Sequence, residues 1–188
     1  MPLRVLSAFE DVPGTEIVAE LGANMERNAI AGIASDRNEG RITLTGIADR
    51  PGTVAAIMHP LSKAGISVDM IVHAATAGQP VSDLTFTVPR AALAQAAAVM
   101  EGQRGAIGFT GMLTDDAVAK VSIVGVGMRS NPALSATMFD TLAARGINLL
   151  AVTTSEIKVS VLIREDEMEL AVRLLHTAFG LDDVGDDK

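Results

Sequence analysis

The chain is 188 residues long, 48% apolar, free of cysteine and carries a formal net charge of −8. That length and apolar share suffice for one large core or two small ones, while the negative charge, with no basic cluster interleaved with aromatics, excludes a phosphate-backbone partner, so no nucleic-acid binding is expected. Without cysteine there is no disulfide framework and no thiolate metal site, no apolar run reaches membrane-spanning length, and no signal-like apolar segment follows Met1; a folded, soluble, cytoplasmic protein with no membrane partner is expected.

In chain order, Met1–Phe9 reads as a short apolar strand (Leu3, Val5, Leu6) turned by Glu10-Asp11-Val12-Pro13-Gly14, and Glu20–Asn28 as a polar linker or frayed helix end. Ala29–Ser35 is a further strand candidate and Asp36-Arg37-Asn38-Glu39-Gly40 a turn. Strand 42–47 then alternates Ile42, Leu44 and Gly46 with Thr43 and Thr45 until Asp49-Arg50-Pro51-Gly52 breaks it. Val54, Ile57, Met58 and Leu61 follow at helical spacing over 53–64. Gly65 ends that helix, and Ile66, Val68, Met70 and Val72 restore a period of two over 66–75. A Gly78-Gln79-Pro80 hairpin turn, strand 82–88, helix 90–101 and strand 106–113 complete a βαββαβ unit.

The chain then repeats itself. Val121, Ile123 and Gly125 stand for Ile42, Leu44 and Gly46, Leu134, Met138, Phe139 and Leu142 form the helix stripe, and Gly146-Ile147-Asn148 answers Gly65-Ile66-Ser67. A period of roughly 80 residues suits a duplicated small domain rather than a solenoid. The second copy supplies strand 119–126, helix 133–145, strands 147–154 and 157–164, and helix 166–179, then runs into an acidic tail with no sixth element. The spare strand Ala29–Ser35 is therefore predicted to complete the second sheet. The expected fold is α+β: two interleaved ferredoxin-like βαββαβ domains, each an antiparallel sheet with its helices on one face.

Catalytic groups are sparse. His59, His73 and His176 lie on different elements, with no spacing that would ligate a metal. Gly125-Val126-Gly127 starts like a dinucleotide loop, but Ser130 stands where the third glycine belongs, so no cofactor is expected. The turn Ile47–Thr53 is more suggestive, because it sets a carboxylate and a glycine at a helix start. Backbone N–H groups of Thr53, Val54 and Ala55 can bind a carboxylate and Asp49 an ammonium, which together would hold a free amino acid. The competing reading, that Asp49 only caps the helix or its turn, stays open. In the second copy Met128 replaces Asp49, so the two turns should not bind one ligand in the same way. Ser155-Glu156 sits at a hairpin, where a solvated turn is the plain alternative.

GIADRPG, GISVDMIV and DLTFTVPR, followed by KVSIVGVGMRSNP and TTSEIKVSVLI, resemble the C-terminal regulatory region of bacterial aspartokinase, over about Ala29–Leu181. The resemblance implies two amino-acid-binding ACT domains, the first spanning 41–114 and the second 29–40 together with 115–181. Residues 1–28 would be the end of a kinase domain and a linker, and 182–188 an acidic tail. It also implies a feedback effector, lysine or threonine, held near Ile47, Asp49 and Arg50-Pro51-Gly52-Thr53-Val54-Ala55, with Asp69, Met70 and His73 on the following strand. A paired ACT domain would add Asn148, Leu149, Thr154, Ser155 and Glu156, and Ser135 from its helix. The family's ATP-dependent phosphotransferase activity on L-aspartate would reside in a catalytic domain or subunit that this chain lacks, with no catalytic or metal-binding residue here, and the chain would dimerise through its ACT domains. One departure supports an alternative reading, a structural dimerisation module whose effector site has decayed: His73-Ala74 stand where the family commonly has Gln-Asn.

Overall fold

A computed structural model describes residues 3–5, 15–17, 30–126, 128 and 131–182. The expected turn at 10–14, the 20–28 linker, Gly127, Arg129 and Ser130 of the second turn, and the tail beyond Asp182 lie outside the described residues. Strand β1 (Leu3–Val5) pairs antiparallel with β2 (Thr15–Ile17), Leu3 opposite Ile17.

Everything else is organised by two long strands. β3 (Ile30–Ala48) and β6 (Gly111–Gly125) run antiparallel to each other along most of their lengths, and each serves both repeats. Residues Gly40–Ala48 of β3 pair on their other side with β5 (Val81–Val88), which pairs in turn with β4 (Ile71–Ala75). Residues Val118–Val124 of β6 pair with β8 (Lys158–Arg164), which pairs with β7 (Ala151–Thr154). The result is one six-stranded antiparallel sheet in the order β4-β5-β3-β6-β8-β7. Within it, Ile30–Asp36 lies on Lys120–Gly125 of the second repeat. Two ferredoxin-like sheets are thus interleaved through shared strands, as the missing sixth strand predicted.

Alternation along the strands buries one face of each repeat under its own helices. In the first lobe, Ile42, Leu44, Leu84 and Phe86 pack fully buried against Ile57 and Leu61 of α1 (Thr53–Lys63) and Ala96 and Met100 of α2 (Leu93–Gly102). In the second, Val121, Ile123, Val161 and Ile163 meet Met138 and Leu142 of α4 (Pro132–Ala143) and Ala171 and Leu175 of α5 (Met168–Ala178). Each of these Val, Leu, Ile, Phe and Met side chains withdrawn from water contributes about 1.5–3 kcal/mol. A third, smaller cluster of Met70, Val118 and Leu162, with Leu150 and Ala151 against it, joins the lobes on the sheet's other face, and β4 touches β7.

Four local expectations are corrected. Asp36–Gly40 is not a turn: β3 continues through it, with register shifts against β6 between Asp36 and Glu39 and again between Glu39 and Arg41. The polar residues that read as a reversal are absorbed in this bulge, where the Asn38 N–H donates to Asp36 Oδ1 (2.8 Å) and Glu39 turns inward, 3% exposed. Strands 106–113 and 119–126 are likewise one strand beginning only at Gly111, because a short helix, α3 (Arg104–Ile107), follows α2 and ends at Gly108 with φ 81°. Arg104 secures that corner, donating to Glu101 and to the Phe109 and Thr110 carbonyls and stacking 4.2 Å over the Phe109 ring. Strands 66–75 and 147–154 shorten to β4 and β7, since 66–69 and 147–150 make only isolated ladder bonds such as Asp69 N–H to Thr87 O and Leu150 N–H to Leu162 O. Finally, Gly46 does not continue the alternation of Ile42 and Leu44. It forms a bulge with φ 65°, a conformation glycine adopts freely, and returns Ile47 to the core at 0% exposure.

Candidate functional site

The turn after β3 is built by that bulge. The Gly46 N–H donates to Asp83 Oδ1 (2.9 Å), the Asp49 N–H donates to the Pro80 carbonyl (2.9 Å), and Gly52 enters α1 with φ 92°. Thr53, nearly buried, turns its hydroxyl back to the Ala48 carbonyl (2.9 Å). No side chain caps α1, so Asp49 is not a helix cap; the residue is exposed. Of the three N–H groups expected to be available, Thr53 is already engaged by the Arg50 carbonyl (3.3 Å), whereas among the described residues those of Val54 and Ala55 have no acceptor. Such orphan donors carry the positive end of the helix dipole. Beside them lies a cavity of about 260 Å³ lined by Arg50, Pro51, Gly52, Thr53 and Ala56, with Ala106 and Ile107 of α3 closing one side. Ile47 is buried in the first core and does not line this cavity.

The second lobe has the corresponding groove, larger at about 630 Å³, lined by Met128, Pro132, Ser135, Thr154, Ser155, Glu156 and Val159. It gathers Ser135, Thr154, Ser155 and Glu156 from helix, strand and hairpin. Here the helix start is closed: Asn131 Oδ1 accepts from the Ala133 N–H (3.2 Å) and Pro132 occupies the first turn. Met128, 3% exposed, fills the position of the exposed Asp49. The hairpin is fixed by Ser155, whose N–H donates to the Lys158 carbonyl (2.8 Å) and whose Oγ accepts from the Lys158 N–H (3.1 Å). Asn148 and Leu149 do not line this groove; Asn148 is exposed and Leu149 packs on the second core.

The remaining expected residues lie elsewhere. Met70 is buried in the cluster between the lobes, and His73 is exposed on β4 opposite Leu84. Asp69 is engaged by Lys120, whose ammonium also donates to Glu39. Burial alone would push the Lys120 pKa down, but these hydrogen bonds and charges outweigh it and hold the value above the ordinary 10.5. Sequence reasoning missed Lys120, Glu39 and the α3 wall. The signal for the first was a lysine inside the apolar run Ala119–Val124, a placement that calls for a buried anion.

A duplicated βαββαβ sandwich whose strand-to-helix turns carry the grooves defines the ACT class of regulatory domains. An ACT domain profile matches residues 121–179. The aspartate kinase of Pseudomonas putida is 46% identical over 182 residues, 97% of this chain and 44% of that protein. In solved structures, a chain of the aspartokinase alpha and beta subunits shares 45% identity at a TM-score of 0.76, covering 81% of this chain and 99% of that one. The ligand-free regulatory subunit of aspartate kinase from Thermus thermophilus shares 37% at 0.76, with the same coverages. The chain belongs to the aspartokinase family, as its ACT-containing regulatory region. It spans less than half the length of the full aspartate kinases that it matches.

Proposed function

We propose that this chain binds lysine or threonine and transmits its occupancy to an aspartokinase catalytic domain or subunit, giving feedback inhibition of the first step of aspartate-family amino-acid synthesis in the cytoplasm. The observation that carries the reading is the first-lobe turn, where an exposed carboxylate, Asp49, and the uncapped Val54 and Ala55 N–H groups offer an acceptor for the α-ammonium and donors for the α-carboxylate. Charge-assisted contacts of this kind are worth roughly 1.5–3 kcal/mol each when shielded from water. Asp49→Asn keeps size and removes charge, so effector affinity measured by calorimetry should fall at least about tenfold, 1.4 kcal/mol. Unchanged binding would move the pocket to the Ser155-Glu156 groove.

The engagement of Asp69 by Lys120 favours the second reading, a dimerisation module with a decayed site, because it takes one expected effector contact out of play. Thermal melting with each of the twenty amino acids separates the two: a ligand at a hundred times its Kd raises stability by about 2.7 kcal/mol, and a decayed site responds to none.

Both readings have the chain act as a homodimer. The outer strands β4 and β7 leave Ile71 and Val152 exposed at 44% and 38% beside unpaired backbone edges, the arrangement that invites strand pairing with a second copy. Sedimentation at micromolar concentration should return a dimer, and a monomer with and without lysine and threonine would dismiss this part.

A further inference from the structure

We propose that the waist between the lobes is a hinge closed by a latch, in which the Asp69 carboxylate, seated on the Lys120 ammonium, holds the start of edge strand β4 against the second lobe. The hinge is the double register shift where β3 passes from one lobe to the other around Glu39. Two sets of contacts cross it. On one side Arg90, just after β5, pairs with Glu165, just after β8 (2.9 Å), donates to the Val118 carbonyl (3.3 Å), and donates its backbone N–H to Asn38 Oδ1 (3.2 Å). On the other, Lys120 of the second lobe donates to Glu39 at the bulge and to Asp69 of the first lobe.

The two carboxylates on Lys120 differ in kind. The Glu39 side chain is 5% exposed and that of Lys120 16%, so that contact is largely shielded; the Asp69 side chain is 49% exposed, so its contact is the more readily screened or exchanged. Glu39 keeps Lys120 in place while Asp69 comes and goes. Directly after Asp69, Met70 inserts between Val118 and Leu162, and the Met70 N–H donates to Thr87 Oγ1 (3.2 Å), so release of Asp69 loosens the segment that leads into β4. A small cavity bordered by Asp36, Asn38, Glu39, Ser67, Asp69 and Lys120 gives an incoming cation room to reach the carboxylate. The latch does not depend on the effector reading.

Amide hydrogen exchange on the full chain tests it. In the parent protein, amides of Met70–Ala75 should exchange faster as salt rises from 0.1 to 1 M, where the screening length contracts from about 10 to 3 Å. Asp69→Asn should raise their low-salt exchange about two- to fivefold, abolish the salt dependence, and leave Lys158–Arg164 unchanged, because Glu39 still satisfies Lys120. Parent-like exchange and salt dependence in Asp69→Asn would overturn the latch. So would an equal acceleration in both lobes, which would mark Asp69 as a contributor to global stability only.

Discussion

Replacing Lys120 with methionine lowers stability by about 3–5 kcal/mol, because it leaves the Glu39 carboxylate buried with its counter-charge removed. In a chain of this size that corresponds to a fall in melting temperature of roughly 6–20 °C. The pair itself is not the source of the loss. A buried ion pair replaced whole by neutral groups is often neutral or stabilising, so Glu39→Gln added to Lys120→Met should recover most of it. Urea denaturation reads both: the midpoint should move while the slope holds, since the surface exposed on unfolding is unchanged. The pH dependence is a second check with a defined sign. The folded-state pKa of Lys120 is raised, so its contribution is fully present below the ordinary value of 10.5 and disappears as pH climbs through the folded value. The parent protein should therefore lose its advantage over the Lys120→Met single variant only in that alkaline range. A single variant as stable as the parent at neutral pH would show that water reaches Glu39.

Gly46→Ala is the other large effect, roughly 2–5 kcal/mol from two additive causes. A non-glycine residue at φ 65° costs about 1–2 kcal/mol. Its Cβ would also lie 2.2 Å from Thr110 Oγ1, so something must move, and overpacking of this kind typically costs about 1–3 kcal/mol. Thr110 is not free to yield, since its hydroxyl and its N–H both donate to the Thr45 carbonyl (3.0 and 2.8 Å). Thr110→Ala in the Gly46→Ala background removes the worst of the clash, leaving a tight 3.2 Å contact to the Thr110 Cβ and the backbone penalty, so it should restore part of the loss and no more. Thermal melts of the three chains partition the two causes; full restoration would mean that the bulge tolerates a side chain. On the proposed effector reading, Gly46→Ala should also weaken amino-acid binding in calorimetry, because the bulge sets the turn that presents Asp49.

How much of this was legible in the residues depended on the range of the interaction that decides each element. The strand–helix alternation and its repetition were readable because burial under a helix imposes periods of 2 and 3.6 locally, as in Leu84, Phe86 and Val88 or in Ile57 and Leu61. The docking of Ile30–Asp36 on the second repeat followed from a count of strands. Asp36–Gly40 misled because Asp, Asn and Gly serve turns and bulges alike; only the opposite strand, with Lys120 drawing Glu39 inward, selects the bulge. The first-lobe turn was visible as Asp49–Gly52, yet whether Asp49 capped α1 was a question of side-chain direction that spacing does not encode. Asp69 looked available because its partner lies 51 residues away on another strand.

The shared strands also set the limits of modular exchange. No continuous stretch of the chain specifies the second lobe, because one of its four strands is drawn from Ile30–Asp36 and the first lobe is inserted before Val118 resumes it. A recombination junction placed between the repeats, at Asp115 for instance, would separate the downstream half from a strand it needs and leave Lys120–Gly125 with an uncovered side. Neither lobe is a cassette. Substitutions can accumulate independently in the two helix-covered cores, but crossovers are tolerated only where both crossing strands come from the same parent.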